Sequence, residues 1–399
     1  MISHVCPGPS ERPGLAVWGT LLIASEEPGP RGNEQVALIC GPWVPGLALR
    51  RSPGTQTVSP TVIADILKLV ARRLLAFVPI LLVVSALLFC ALRVLPVDPA
   101  AMSLPPTATI AEIEAKRRDM GLDQPLAAQY LIWLNDALHG EFGRSIHYRR
   151  DAATLIRETL PATLELALAA MTIATLIGFA GGLLLFRLRG SPLEAAVDFS
   201  SLLLLSIPEF LWGLILLFLF GVTLHMLPFT GRLSPELVRP HITGFLLLDA
   251  LLSGRPDLFF DAVKHLALPA LALGLAFSPA LMRVLRSSLL DVYHEDYIQQ
   301  ARLRGLSENR ILVGHALKNA VLPTLTIAGV QFGFLFGGTL LVEIIYSYPG
   351  LGNLMVDAVR NADLPIIQAV GLTYCVVVLC INTIVDSFYL LLNPKLRVH

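Results

Sequence analysis

Residues Asp296 to Pro323 read DYIQQARLRGLSENRILVGHALKNAVLP, a polar and basic stretch between two long apolar runs. Gly305 follows one helix-compatible segment, and Ser307 precedes another that has Glu308 in its first turn. Glycine permits the left-handed conformation that ends a helix, serine supplies an N-cap oxygen, and glutamate complements the positive helix N-terminus. The stretch therefore predicts two short helices with a sharp bend at Gly305.

The second of these helices has the pattern of a helix that lies against a protein surface. At helical spacing its apolar residues share one face: Ile311, Leu312, Ala316, Leu317 and Ala320. A bent, partly apolar knob of this kind can fit into a groove of a partner protein. The alternative is a solvated connector that merely joins two apolar runs.

The composition places the whole chain in a membrane. Of its 399 residues 54% are apolar and 15% are charged, and the mean hydropathy is +0.67, values that are unusual for a soluble protein of this length. The formal net charge is zero, which gives no electrostatic support to nucleic-acid binding. The five cysteines indicate neither a disulfide framework nor a metal site, because three of them lie in apolar runs where cysteine behaves as a small hydrophobe.

Six apolar segments are long enough to cross a bilayer core of about 30 Å as single helices. The predicted fold is therefore all-α, a polytopic membrane protein with six transmembrane helices. The predicted spans are about 73–95, 163–187, 199–226, 266–285, 321–345 and 368–391. GFLLLDALL, residues 244–252, is too short to span and is predicted to be a loop or a re-entrant piece.

Basic residues in short loops predict the orientation, because lysine and arginine stay on the cytoplasmic side during insertion. One set of loops carries thirteen basic residues and the opposite set five, leaving aside the long loop 96–162. Both termini are accordingly predicted to be cytoplasmic. Loop 96–162 becomes extracytoplasmic, and 286–320 becomes the only long cytoplasmic loop.

Residues 1–60 differ from the rest of the chain. They contain nine proline and eight glycine residues and show no helical or strand period, so a disordered extension is predicted. A start codon placed too far upstream is an alternative explanation, and a signal peptide is a weaker one. The membrane domain is predicted to cover 61–399.

Ionisable residues inside spans are costly and often functional. Glu165, Glu343 and Asp386 are predicted to lie at span ends, within reach of water and headgroups. Glu209 follows Pro208 about ten residues into the third predicted span; it either lines a pathway or sits at a helix start that Pro208 marks. Ser278 and Gln331 are two further pathway candidates, although packing between helices is the stronger interpretation for both.

The opening stretch resembles the EAA loop of ABC-type importer permeases, in the form found in the dipeptide, oligopeptide and nickel branch. The matching residues are Ala301, Gly305 and Pro323, while Gln299 replaces the acidic residue of the general pattern. Further segments resemble the same branch in the same order: LPVDPA (95–100), FGRSI (142–146), LPATLELAL (160–168), SIPEFLWG (206–213), HLALPAL (265–271) and SYPGLGNLMVDAV (347–359). The resemblance covers about residues 62–399.

The resemblance implies a subunit of the bacterial inner membrane that forms half of a pathway for a solute brought by an extracytoplasmic binding protein, and di- or oligopeptides are the expected solutes. Its partners would be a second homologous permease and two ABC ATPases, which would use the ATP; this chain would bind no cofactor or metal. No Gly-Lys dipeptide occurs, which excludes the GxxxxGK[ST] phosphate loop. The ATPase-coupling residues implied are Ala301, Arg302, Arg304, Gly305, Leu306, Ser307, Glu308 and Arg310.

Two other classes of protein fit the sequence less well. A membrane hydrolase would need a nucleophile and a base, yet neither GxSxG nor HExxH is present. An ion-coupled secondary transporter predicts paired acids at mid-membrane or matching broken helices, and only Glu209 is a candidate for such an acid.

Overall fold

A computed structural model describes residues 60–94, 98–105, 107–240 and 242–392. The predicted disordered extension, 1–60, lies outside these residues except for Pro60, where the first helix begins. The regular structure in the described ranges is helical, with one isolated antiparallel bridge between Arg144 and Asp151. The predicted all-α class is confirmed.

Fourteen α-helices follow one another in the described residues. They are α1 (Pro60–Val94), α2 (Pro99–Met102), α3 (Ile110–Asp119), α4 (Leu126–Leu138), α5 (Ala152–Arg187), α6 (Pro192–Ser206), α7 (Glu209–Leu216), α8 (Leu246–Leu252), α9 (Pro256–Tyr293), α10 (Asp296–Leu303), α11 (Glu308–Ile311), α12 (Leu317–Ile345), α13 (Leu351–Arg360) and α14 (Leu364–Leu392). Two π-helical segments extend them: Leu217–Thr223 continues α7, and Leu312–Ala316 joins α11 to α12.

Five helices of the described chain are long and apolar enough to cross a membrane, and a bent pair brings the number to six if it counts as one span. The five are α1, α5, α9, α14 and the continuous helix Glu308–Ile345. The third predicted span, 199–226, is wrong as a single straight helix. α6 and α7 with its π-helical extension meet there at an angle of 99°.

Pro208 explains this break. Proline lacks a backbone N–H, and its ring disfavours the helical conformation of the preceding residue. Ile207 accordingly has φ −96° and ψ 117°, an extended conformation, and the next helix begins at Glu209. Pro208 therefore marks a helix start, and Glu209 is the first residue of the helix that follows it.

Glycines bring α5 and α9 into close contact. A Cβ atom on Gly178 would lie 2.6 Å from Leu281 Cβ, and one on Gly274 would lie 2.6 Å from Ile173 Cγ2. A Cβ atom on Gly182 would lie 2.9 Å from the backbone oxygen of Met282. Because lipid tails are as apolar as leucine, helices in a bilayer associate through such close packing rather than through the hydrophobic effect. The α5–α9 pair forms the centre of the bundle.

The predicted extracytoplasmic loop 96–162 contains three helices and the first turns of α5. α4 packs along α1, where the Tyr130 hydroxyl lies 2.8 Å from Ser85 Oγ and donates to the carbonyl oxygen of Leu82 at 3.2 Å. The rings of Phe89 and Tyr130 meet edge to face at 5.6 Å. α4 therefore lies beside a membrane-spanning helix instead of standing free of it.

The α5–α9 contact makes a prediction about stability. In Gly182→Ala the new methyl group would meet the Met282 backbone oxygen, which cannot move away unless the helices separate. We expect the free energy of unfolding of the detergent-solubilised chain to fall by about 1–3 kcal/mol. The midpoint of thermal unfolding measures it.

The matched control is Gly337→Ala in α12, because a methyl group there meets no described atom within 4 Å. Helix propensity favours alanine equally at both positions. Equal midpoints for the two variants would contradict the close contact.

Candidate functional site

The polar stretch at 296–323 folds as two helices with a bend. α10 ends at Leu303, Gly305 has φ 75°, and α11 begins at Glu308. The predicted bend with a left-handed glycine is confirmed. The predicted loop bounds, 286–320, are too wide because α9 continues to Tyr293 and the helix from Glu308 runs on into α12.

The inner side of this bend packs on the ends of the membrane helices. We call the buried residues there the knob core: Phe186, Leu285, Leu289, Tyr293, Ile298, Ala301, Ile311, Leu312, Ala316 and Ala320. They come from α5, α9, α10 and the helix that leads into α12, and the partly buried Leu317 packs against them. The predicted apolar face of the second helix is thus confirmed.

The outer side of the bend is exposed. Leu303, the last residue of α10, is 89% exposed, and Arg304, Ser307 and Arg310 are exposed as well. The outer side thus leaves one large apolar side chain in full contact with solvent among polar neighbours. We call this bent segment the knob. Its inner side packs on the membrane helices, and its outer side, with Leu303 at the tip, is free.

An ion pair closes the bend. Arg302 Nε donates to Glu308 Oε1 at 2.7 Å, which raises the pKa of the Arg302 guanidinium. Ser307 occupies the N-cap position, but its side chain makes no capping hydrogen bond, so the predicted serine cap is wrong. The first turn is held instead by this ion pair and by the bond from Ile311 N to Ser307 O.

A buried carboxylate ties α12 to α5 and α13 at the opposite end of the bundle. Thr163 Oγ1 donates to Glu343 Oε1 at 2.6 Å, and the amides of Gly352 and Asn353 donate to Glu343 Oε2 at 2.7 and 3.1 Å. Leu351 N donates to Thr163 Oγ1 at 2.8 Å. Glu343 thus sits at the positive N-terminus of α13.

A second buried carboxylate belongs to α5. Glu165 pairs with Arg232 and accepts a hydrogen bond from Leu247 N at 2.7 Å, which fastens the segment between α7 and α9 to α5. The expectation that Glu165 and Glu343 lie in water or headgroups is wrong. Both are buried, and each accepts hydrogen bonds from neighbouring donors. Asp386 is half-buried and pairs with Arg73 at 2.5 Å.

None of the described hydrogen bonds or ion pairs joins the three predicted pathway residues to one another. Glu209 is half-buried in the first turn of α7, with its carboxylate against Gly338 of α12. Ser278 is fully buried and donates to the Leu275 carbonyl at 3.0 Å, so it faces helix packing and not a cavity. Gln331 is half-buried on α12. An apolar cavity of 580 Å³ lies between α5, α12 and α14 and is lined by none of the three.

Metal ligation finds no support in the described ranges. They contain no group of three or more histidine, cysteine, aspartate or glutamate side chains that could hold an ion. His265 is buried with Nδ1 3.0 Å from the carbonyl oxygen of Asp261, the position of a histidine bonded within its own helix.

These spans and the knob define a polytopic helical membrane protein. Comparison with known proteins identifies its family. Residues 173–398 match the family described as binding-protein-dependent transport system inner membrane component, and 66–167 match the N-terminal part of such components. The chain belongs to this family.

The chain aligns with three relatives over nearly the whole length of each. The di/tripeptide transport system permease protein DppB of Pseudomonas aeruginosa is 39% identical over 332 residues, 83% of this chain and 99% of that protein. The dipeptide transport system permease protein DppB of Escherichia coli K12 is 35% identical over 335 residues, with the same two shares. The glutathione transport system permease protein GsiC of the same strain is 35% identical over 334 residues, again with those shares.

The chain is therefore a multi-pass inner-membrane protein and a permease subunit of an ABC importer. It is a transport subunit and neither an enzyme nor an ion-coupled transporter. Permease subunits of such importers bind no cofactor themselves, and they associate with ATPase and binding-protein partners. The resemblance stated for the EAA loop is confirmed at the level of the family.

Sequence reasoning missed the Glu343 cluster, although a signal was present. In SYPGLGN a Cβ atom on Gly350 would lie 2.4 Å from Glu343 Oε2, and one on Gly352 would lie 2.6 Å from Leu340 Cα. Two glycines spaced two apart at a helix start indicate a close backbone approach, and the carboxylate one turn before that loop was the group being approached.

The Glu343 cluster makes a second prediction. Thr163→Val keeps the shape of the side chain but leaves Glu343 Oε1 and Leu351 N without this partner. We expect the free energy of unfolding to fall by about 1–3 kcal/mol, the cost of unsatisfied buried polar groups. Thermal unfolding in detergent measures it.

Thr172→Val is the matched control, because Thr172 is exposed on the same helix and bonds only to the Leu168 carbonyl. If Thr163→Val unfolded at the same temperature as the control, Thr163 would not hold α5 to α12 and α13.

Proposed function

We propose that the chain forms half of the translocation pathway of an importer for short peptides, which an extracytoplasmic binding protein delivers. The names of the relatives support this substrate class, because two are di- or tripeptide permeases and the third transports glutathione, itself a tripeptide. In the predicted orientation both termini and the knob are cytoplasmic.

The knob is the proposed contact with the ATPases. The contrast between the two sides of the knob supports this contact. Leu303 at the tip is 89% exposed, while Ile298 and Ala301 behind it are buried in the knob core. Force applied at the tip would move α9 and α12 together, because both contribute to that core. Rigid-body movement of packed helices is one route to alternating access.

The proposed coupling residues divide into two groups by position. Ala301 and Leu306 face the knob core, and Arg302 with Glu308 closes the bend. Arg304, Ser307 and Arg310 are exposed around Gly305 and are proposed to contact the partner directly. A Cβ atom on Gly305 would meet no described atom within 4 Å, so this residue leaves space for an approaching surface.

The proposed partners are inferred from the single knob that this chain supplies. ATP is proposed to be bound and hydrolysed by two separate ABC ATPase subunits, which work as a dimer. This chain supplies one knob, so a second, homologous permease is proposed to supply the other and to complete the pathway.

The exposed tip makes a third prediction. Leu303→Asp adds a charge at a position that contributes nothing to the core, so the fold should be unchanged. A buried charge at the interface would weaken ATPase docking, and we expect ATP-dependent uptake to fall about tenfold or more, as for an interface hot spot. Uptake in membrane vesicles and co-purification of ATPase subunits measure it.

Ile110→Asp is the control for this variant, because Ile110 is 77% exposed but lies in the predicted extracytoplasmic loop. Normal uptake and normal ATPase recovery with Leu303→Asp, at equal membrane levels, would refute docking at this tip.

Glu209 is the proposed pathway residue. It lies at the break between α6 and α7, and no ion pair with a described residue neutralises its carboxylate. A Cβ atom on Gly338 would lie 3.4 Å from its Oε1, so the glycine leaves the carboxylate uncovered on the α12 side. We propose that it attracts the α-ammonium group of a passing peptide.

Charge removal tests this role. Glu209→Gln keeps size and hydrogen bonding, and we expect uptake of a dipeptide with a free amino group to fall about tenfold, the worth of one charge-assisted hydrogen bond. Uptake of the N-acetylated form of the same dipeptide should be the same in Glu209→Gln as in the unaltered chain. Glu236→Gln, an exposed glutamate between α7 and α8, is the control. An equal loss for both dipeptides would indicate a structural role and would overturn the proposal.

Substrate identity is tested on the binding protein. Calorimetric titration of the binding protein encoded beside this gene with dipeptides, oligopeptides, glutathione and nickel complexes should give affinity for short peptides. Binding of nickel complexes alone would refute the proposed substrate class without affecting the family.

A further inference from the structure

A pocket of 360 Å³ lies at the inner ends of α5 and α9, beside the bend of the knob. Its wall includes Phe186, Arg187, Arg189, Tyr293, Arg302 and Glu308. None of the roles discussed so far uses Arg187 or Arg189. The pocket therefore has a lining that the coupling function leaves unexplained.

Positive charge dominates the pocket. Three guanidinium groups face one carboxylate, Glu308, which is already paired with Arg302 at 2.7 Å. Among the described residues no carboxylate lies within ion-pair distance of Arg187 or Arg189, and the contact of Arg187 is a long one, 3.5 Å to Asn309 Oδ1. Two positive charges in the pocket remain unbalanced.

Aromatic rings hold two of these guanidinium groups in place. Arg189 Cζ lies 4.6 Å from the Phe186 ring centroid and 5.4 Å from that of Tyr293. Arg302 Cζ lies 5.4 Å from the same Tyr293 ring. Stacking fixes a guanidinium group and leaves its N–H edge free for an oxyanion. Two cations at one ring also repel each other, and a bound anion would relieve that repulsion.

The position of the pocket selects the kind of anion. Arg187 is the last residue of a membrane-spanning helix, and Leu184, one turn earlier on the same face, is 44% exposed. A basic pocket at the end of a membrane span, with an exposed apolar side chain one turn away, fits a lipid whose phosphate meets the arginines while its chains follow the helix.

We propose that this pocket binds the headgroup phosphate of an anionic phospholipid, with Arg187 and Arg189 as its principal donors. Because Arg302 belongs both to this pocket and to the bend, the bound lipid would steady the knob. The proposal requires the membrane location of the chain and not the proposed peptide transport, so either can fail alone.

The test compares two charge-matched double variants of the full chain. Arg187→Gln with Arg189→Gln empties the pocket of its free cations, while Arg283→Gln with Lys318→Gln removes two exposed charges near the same end of the bundle but outside it. Native mass spectrometry in detergent measures the Kd for phosphatidylglycerol and for zwitterionic phosphatidylcholine. We expect the pocket variant to bind phosphatidylglycerol about 30-fold more weakly, from the usual contribution of two basic residues, and the control to bind it as the unaltered chain does.

Two results would overturn the assignment. The first is an equal Kd for phosphatidylglycerol in both variants; if the pocket variant also lost co-purification of ATPase subunits, the arginines would be assigned to an acidic surface of the partner. The second is displacement of the lipid by millimolar inorganic phosphate, which would assign the pocket to free phosphate.

Discussion

The close contact of α5 and α9 is the constraint on which the rest of the structure depends. In a bilayer, apolar side chains gain nothing by leaving lipid for protein, so helices must be held by close packing or by polar groups at their ends. Gly178, Gly182 and Gly274 supply the packing. The knob core at one end is assembled on both helices, and the carboxylate clusters at the other end are assembled on α5.

The two ends use different physical interactions because their surroundings differ. At the knob the surface meets water, and burial of side chains such as Ile298 and Ile311 stabilises the bend by the hydrophobic effect, about 1.5–3 kcal/mol for each fully buried side chain. At the other end Glu165 and Glu343 are removed from water and must be satisfied by donors, since a buried unpaired charge is far more costly. A backbone N–H group at the N-terminus of α13 donates to Glu343, and the guanidinium group of Arg232 donates to Glu165.

Local patterns predicted the fold well where one residue decides one conformation. The left-handed Gly305, the buried face of the helix after it and the helical class were all predictable from spacing and cap chemistry. Hydropathy could not show the 99° break at Pro208, because a window average does not respond to a single missing N–H. It also placed Glu165 and Glu343 in water, since their partners Arg232 and Thr163 are distant in sequence or lie on another helix. The pathway residues were the least predictable, because a pathway between two subunits is defined by a surface that one sequence does not contain.

The helix from Glu308 to Ile345 has a mechanical consequence. Its 38 residues, including the π-helical turns at Leu312–Ala316, make a rod of about 57 Å at 1.5 Å per residue. Near its middle, Gly329 sits against Val385 of α14, where even a methyl group would lie 1.9 Å from a side-chain carbon. A helix held this closely near its middle would pivot there, so a displacement of one end would be accompanied by an opposite displacement of the other. The helix ends two residues after Glu343, and the hydrogen bonds of this carboxylate with Gly352 and Asn353 would pass such a displacement on to α13.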